Sequence, residues 1–451
     1  MSIAEQGPEA GDPASDAVPV TAARTPRPAL VPVEMPPSGF VARTFDALGN
    51  SNFRLLYFGN VLQFASMQMQ MLVRGVLVYH LTGSFAALGL VSLANAIPGL
   101  LFSPVGGVVA DRAPKKMVIQ AAQAYNVLNA AALAILAGIG MLRFEHLMIS
   151  AALQGAVNST MMPSRQAIIV DLVGREKLMN AIAINTSGQN LMQLVGPGLG
   201  GVLLALLNPA AAFWVMAGLY LLAVTCTVRL PKHPVFSFAG QGASTGAARR
   251  RPGGSFRDLL EGMRYVAADR TIRTLIAVNF LIVLATMPYT MMLPGFVHEV
   301  LHRGAAEQGM LMSISGIGAL IGSLIIAAIS GRNRGRMLLM VSAILAASLI
   351  AFAASTNYFV TMPIMLLIGA TTATRQSLGM VLIQSYSADE YRGRVMSVWM
   401  MQYSLVAFGT FGVGVLAEWF GPQLAIGGLA ASLAVTLIVV GAFVPRMRNM
   451  Q

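Results

Sequence analysis

The chain has 451 residues, 56% of them hydrophobic and 11% charged, with a mean hydropathy of +0.67. A soluble domain carries about twice that charge fraction, so a water-soluble globular protein is excluded and an integral membrane protein is indicated. Thirty Lys and Arg stand against 18 Asp and Glu, and the placing of those bases decides whether the excess is meant for nucleic acid or for a membrane.

Residues 1 to 40 hold eight prolines among Ala, Ser and Glu, without periodicity or a long apolar core. Segment 1–48 therefore reads as a disordered cytoplasmic tail and not as a cleaved signal peptide. Apolar stretches long enough for a ~30 Å hydrocarbon core follow at about 53–79, 85–110, 116–140, 145–168, 178–206, 210–229, 272–297, 306–330, 337–355, 358–384, 395–419 and 424–445. They predict an all-α membrane protein with twelve transmembrane helices in two pseudo-symmetric six-helix bundles, 49–230 and 271–447. Between the bundles, "AGQGASTGAARRRPGGS" is a flexible linker. Leu259, Leu260, Met263 and Val266 then recur at helical spacing among charges, so segment 231–270 ends in an amphipathic helix on the cytoplasmic surface.

If the N-terminus is cytoplasmic, every Lys and Arg except Arg74, Arg143 and Arg303 falls on the inner side, counting Arg165 and Arg375 with the nearby loops. That is the positive-inside pattern. It places both termini in the cytoplasm of a multi-pass protein of the inner (plasma) membrane. The charge serves topology and contact with the lipid bilayer, not nucleic acid. The lone Cys226 excludes an intramolecular disulfide or a thiolate metal cluster, and no cofactor or metal is expected.

Polar residues within the apolar stretches are the candidates for function. Gln63, Met67, Gln70 and Arg74 form one stripe of the first helix, at i, i+4, i+7 and i+11. The corresponding stripe of the seventh contains Thr286 and Tyr289; Gln154 and Asn158 mark the fourth helix, Asn185, Gln189 and Gln193 the fifth. Polar groups face lipid at high cost, so each stripe either bonds a neighbouring helix or lines a cavity. Together they favour a wide, neutral, hydrogen-bonding chamber for a small-molecule substrate. Arg74, ~20 residues and so ~30 Å along its helix, is expected near the outer end, either reaching the headgroups or attracting an anion into the outer cavity.

Two further clusters carry a pattern. "GGVVADRAPKK" ends the second helix with Asp111 followed by Arg112, Lys115 and Lys116. A carboxylate there can meet the positive N-terminus of a neighbouring helix, and the bases can pair with acids such as Asp171. "GPGLGG", Gly196 to Gly201, lets a neighbouring helix approach closely while Pro197 bends its own. Sliding the chain on itself by roughly 210 to 220 residues aligns Asn60 with Asn279, Gly89 with Gly309, Arg165 with Arg375 and Gly201 with Gly414, a parallel structural repeat.

Residues 50 to 445 resemble the major facilitator superfamily. Gly107, Asp111, Arg112, Lys115 and Lys116 are similar to its G-x-x-x-D-R-x-G-R-[RK] signature, with Pro114 in place of the glycine. Gly196, Pro197, Gly200 and Gly201 match the G-P-x-x-G-G typical of its proton antiporters. "LLEGMRYV", "REKLMNAIAIN" and "EYRGRVMSVWM" look like the branch of enterobactin-type siderophore exporters and macrolide efflux proteins. The resemblance implies a latch between helices 2 and 11, with Arg392 and Arg394 near the start of the latter, that shuts the cytoplasmic gate. It also implies proton-driven export of a siderophore or bulky amphipathic molecule, with protons as the coupling ion.

Other classes fit less well. "HEVLH", His298 to His302, matches the zincin H-E-x-x-H, but no suitable third ligand follows. "MQMQM" and 29 methionines raise copper transport, yet Met67 and Met69 point to opposite helix faces. No Asp or Glu sits in the middle of an expected helix, so the coupling residue is not identified and a non-transporting sensor or scaffold of the same fold stays open.

Overall fold

The computed structural model describes residues 46–174, 177–231, 255–328, 333–388 and 390–443. The tail up to residue 45, the linker 232–254 and the last eight residues lie outside them, as do the side chains of Gly107, Asp111 and Arg112. Every α or 3-10 element among the described residues is helical, and fifteen α-helices follow in order. α1 is Ser51–Thr82, α2 Phe85–Arg112, α3 Lys115–Gly138, α4 Phe144–Val173, α5 Leu178–Leu206, α6 Pro209–Val228 and α7 Ser255–Ala268. Then come α8 Arg270–Thr286, α9 Tyr289–Glu299, α10 Ala305–Ala328, α11 Arg334–Ala354, α12 Tyr358–Tyr386, α13 Arg392–Met400, α14 Gln402–Phe420 and α15 Pro422–Phe443.

Helix boundaries follow local chemistry. Asn50 caps α1 by accepting from the amides of Asn52 and Phe53, Asp269 does the same for α8, and Ser84, Asn208 and Asn357 cap α2, α6 and α12. Gly83 ends α1 in the left-handed region at φ 62°, where a Cβ would be strained. Among the described residues, ten segments are long and apolar enough to cross a membrane, counting α8 with α9 and α13 with α14 as one each. α4 and α5 fall short of that apolarity despite 30 and 29 residues. Their glutamines and asparagines, Gln154, Asn158, Gln189 and Gln193 among them, lower the mean hydropathy.

The structure departs from the expected boundaries in three places. Asp46–Gly49, assigned by composition to the tail, form a 3-10 turn, with Ala47 fully buried and its amide donating to Asn180 Oδ1 at 3.0 Å. The seventh apolar stretch is broken at Met287–Pro288, and the eleventh at Met401, because Pro288 lacks the amide that would continue the ladder in the first case. The amphipathic α7 seats Gly262 and Val266 on α13, with Tyr265 stacked on Tyr391 at 4.3 Å, whereas Leu260 and Met263 stay exposed.

Packing within each half is built on glycine. α2 crosses α4 where a Cβ on Gly155 would strike the Asn95 carbonyl, and α10 crosses α12 where a Cβ on Gly369 would strike that of Ser315. Lipid is as apolar as leucine, so close backbone approach supplies the dispersion that holds such pairs. Between the halves, α5 meets α10 and α2 meets α14. Gly201 lies against the Ala305 carbonyl and Gly309 against that of Pro197, while a Cβ on Gly89 would come 2.6 Å from Phe411 Cα and one on Gly414 2.5 Å from the Phe85 carbonyl.

Gly155→Leu or Gly369→Leu should therefore lower stability by about 2 kcal/mol or more, read as a drop in the detergent unfolding midpoint. Gly218→Leu, with nothing within 4 Å of its added Cβ, should leave the midpoint unchanged.

Candidate functional site

The polar stripe of α1 turns inward toward α4 and α6. Arg74 is buried at 8% exposure, and its Nη2 donates to Gln154 Oε1 at 2.5 Å and to Ser150 Oγ at 3.4 Å. Gln154 Nε2 donates to Gln70 Oε1 at 3.0 Å, and the Tyr220 hydroxyl donates to the same oxygen at 3.1 Å. Arg74 thus lies in the interior of the first half; it neither reaches the headgroups nor faces an outer cavity as the sequence led one to expect. Its stripe and that of α4 share one interface, so the guanidinium is solvated by amides instead of water. Gln63, Asn185, Thr286 and Tyr289 are buried as well, and Thr286 bonds back to the Ile282 carbonyl. Met67, Asn158 and Gln189 keep partial exposure.

Two residues that sequence reasoning placed with the loops belong to this interior. Arg165, in α4, is 3% exposed and lies over the Phe64 ring at 5.6 Å; Arg375, in α12, is 1% exposed. Arg375 Nη1 donates to Asn279 Oδ1 at 2.8 Å, and Asn279 Nδ2 donates to Gln402 Oε1 at 3.0 Å. In the first half Asn60 Nδ2 donates to Asn185 Oδ1 at 2.8 Å. The alignment of Arg165 with Arg375 and of Asn60 with Asn279 was the available signal, because paired loop bases need no such register.

At one end of the molecule the two halves are bonded together. The Tyr79 hydroxyl donates to the Glu299 carboxylate. Glu418 Oε2, near the C-terminus of α14, accepts from Ser84 Oγ at 3.1 Å and from the amides of Phe85 and Ala86 at 2.9 and 3.3 Å, so a carboxylate sits on the positive end of α2. The His80 and His298 rings meet edge to face at 5.4 Å. His302, the second histidine of the zincin-like motif, lies beyond the end of α9 at φ 51°, so the two histidines do not share a helix face. Next to this seam, Met71, Leu72, Gly75, Thr290, Met291, Pro294, Gln308 and Met312 line a recess between α1, α9 and α10. Sequence reasoning chose the α1 face that carries Gln70, and so missed the methionine-rich face beside it.

At the opposite end, Lys115 Nζ lies 2.7 Å from Asp171 Oδ2, and Lys116 Nζ donates to the carbonyls of Val228 and Leu230 at 2.8 and 2.5 Å. α2 meets the second half there through α7. Arg394, expected in the latch, pairs with Glu261 of α7 at 3.2 Å, and Arg392 Nε donates to the Gln384 carbonyl at 3.1 Å. Gly196 and Gly200 admit α1, with added Cβ atoms 2.7 Å from Gln68 Cβ and 3.1 Å from Met69 Cα.

The profile of the transmembrane secretion effector family, a branch of the major facilitator superfamily, matches residues 42–451. The chain belongs to that family. Among its relatives is the staphyloferrin A transporter of Staphylococcus aureus (strain NCTC 8325 / PS 47), 24% identical over 74% of this chain and 81% of the relative. Another is the multidrug efflux pump Tap of Mycolicibacterium fortuitum, 26% identical over 83% of this chain and 91% of the relative. The fold is shared with the nucleoside transporter NupG, with a TM-score of 0.67 at 16% identity over 87% of this chain and 98% of that one. It is shared too with a bacterial homologue of the lysosomal transporter Spinster, with a TM-score of 0.68 at 13% identity over 88% and 96%.

A guanidinium bonded to a neutral amide is a sensitive arrangement. Gln154→Leu should cost about 2 kcal/mol, the worth of a hydrogen bond to a charged group, while Gln154→Glu, which gives Arg74 a counter-charge, should raise the unfolding midpoint above that of the unaltered protein.

Proposed function

We propose that this protein is a secondary active exporter, driven by proton antiport, that moves a siderophore or a bulky amphipathic small molecule out across the inner (plasma) membrane. The observation that carries the reading is the pair of glycine-lined contacts, α5 on α10 and α2 on α14, that join the first part of the chain to the second. In this reading 49–230 and 271–447 are pseudo-symmetric bundles, with α8–α9 and α13–α14 each counting as one of twelve spans. Contacts of backbone against backbone have little side-chain interlock, so one half can rock on the other. The positive-inside count, reduced by the burial of Arg165 and Arg375, still leaves the bases on one side. In this reading the Glu418 end faces outward, both termini are cytoplasmic, and the bonded seam is a closed outer gate.

The names of the relatives, a staphyloferrin A transporter and a multidrug pump, support export of a small molecule. The second of them also favours macrolide or multidrug efflux as the alternative. The absence of an acid in the middle of any described membrane-crossing helix is what a non-transporting sensor would also show.

Asp111, Arg112, Lys115 and Lys116 form the cytoplasmic latch in this reading, with Lys115 already anchored on Asp171. Gly196, Pro197, Gly200 and Gly201 give the antiport-type bend and contact surface, and Met67, Asn158 and Gln189 line the cavity. Asp111→Asn should shift the balance of inward and outward states by about 1 to 2 kcal/mol and cripple transport without loss of folded protein.

Proteoliposomes with an imposed pH gradient test the whole: a catechol siderophore or a macrolide should accumulate against its own gradient and collapse it with an uncoupler. Movement of neither, by folded protein, rejects the exporter in favour of a sensor. In a Cys226→Ala background, cysteines at Ser244 and Arg143 should label with an impermeant reagent from inside and outside respectively.

A further inference from the structure

The interior of the first half is cationic and has more donors than it can satisfy. Arg74 and Arg165 are both more than nine-tenths buried, and among the described residues no Asp or Glu is bonded to either. Among the described residues, eleven buried side-chain nitrogen and oxygen atoms have no hydrogen-bond partner, and nine of them belong to α1, α3 and α4. Six of the nine are donors: Gln70 Nε2, Arg74 Nε, Asn126 Nδ2, Asn129 Nδ2, Arg165 Nε and Arg165 Nη2. Packing alone does not call for such a set. A guanidinium that only held helices together would be matched by a carboxylate or by carbonyls on all its edges, since an uncompensated buried charge is costly.

We propose that Arg74 and Arg165 form an organic-anion site inside the first half, at which carboxylate groups of the cargo supply the counter-charges that the protein itself lacks. Arg165 follows Gln154, the partner of Arg74, by eleven residues of α4, about 16 Å along the axis. That separation is too great for one carboxylate and suits an amphipathic molecule carrying two or more anionic groups apart from one another. On α1, Gln70 lies between Phe64, over which Arg165 sits, and Arg74, and its unpartnered amide nitrogen, with the Tyr220 hydroxyl bonded to its oxygen, faces the body of the molecule in this proposal. Entry requires the bonds of Arg74 and Gln70 to α4 to be exchanged for bonds to the cargo, and among the described residues no ion pair holds α1 to α4. The planar guanidinium donates in pairs to carboxylate oxygens. This deepens the export reading by naming its cargo class, and it rests on that reading for the word cargo.

The test is equilibrium binding to purified protein by fluorescence anisotropy, with carboxyfluorescein as polyanionic probe and rhodamine 6G as a cation on the same xanthene ring. Carboxyfluorescein should bind at least about tenfold more tightly than rhodamine 6G. Arg74→Gln and Arg165→Gln should each weaken it by about tenfold or more and the double variant further, whereas the Lys variants, which keep a charge but lose the paired donors, should weaken it less than the Gln variants. Gln154→Glu, with its internal counter-charge, should weaken it like Arg74→Gln. Absence of carboxyfluorescein binding to folded protein, equal affinity for both dyes, or Lys variants as weak as Gln variants would each overturn the anion site. Proteoliposomes separate the two readings. Export of rhodamine 6G by protein that does not bind carboxyfluorescein leaves the exporter and removes the site, while tight carboxyfluorescein binding by protein that moves no cargo keeps the site and removes the exporter.

Discussion

Contact of one helix backbone with another, with no side chain between, is the constraint from which this architecture follows. In a bilayer two helices gain nothing by exchanging lipid for each other's leucines, so they adhere where dispersion is densest. Gly155 against Asn95 and Gly369 against Ser315 fix the pairs inside each half, and Gly201, Gly309, Gly89 and Gly414 fix the pairs between the halves. The same absence of side chains has two effects. Within a half it brings polar residues of α1, α4 and α6 close enough to bond. Between halves it leaves a surface with few interdigitated groups to unlock.

Among the described residues, the bonds that cross between the halves are the Ser313 hydroxyl on the Leu194 carbonyl at mid-span and a cluster at one end, and that cluster is unusual in what it lacks. Glu299 meets a phenol and Glu418 a helix N-terminus. Each is held by a neutral donor or a partial charge, and such contacts are weaker and more readily exchanged with water than a pair of full charges. By contrast, Lys115–Asp171 at the other end is a full ion pair, and it lies within the first half. Among the described residues, full ion pairs such as Lys115–Asp171 and Lys177–Asp46 hold the first half together, and weaker partners join the halves at the Glu418 end.

The sequence made the helices legible because their signal is long: an apolar run of about twenty residues. It made the glycine repeat legible for a similar reason, since Gly89 and Gly309 recur in register. The direction of the polar stripes was harder to read. Gln63, Gln70 and Arg74 share a helix face, but a face has no address until its neighbours are known, and here α4 and α6 claimed it. Arg165 and Arg375 were lost to the loops because topology counting treats a base near a helix end as solvated. Their burial depends on Phe64, Asn279 and Gln402, residues a hundred or so positions away in two of the three cases.

Breaks at Met287–Pro288 and Met401 divide two crossings of the second half, while the described crossings of the first run through without one, even past Pro163 and Pro197. An interrupted ladder frees peptide groups to rotate, so the stiffness of the two halves is unequal. The helices of the first half are the stiffer along their own lengths, and the second half is a jointed limb, with α9 its outermost phalanx. Swinging α9 alone would draw Glu299 away from Tyr79 while Glu418 stayed on α2, so such a limb can give way in sequence, one contact after another.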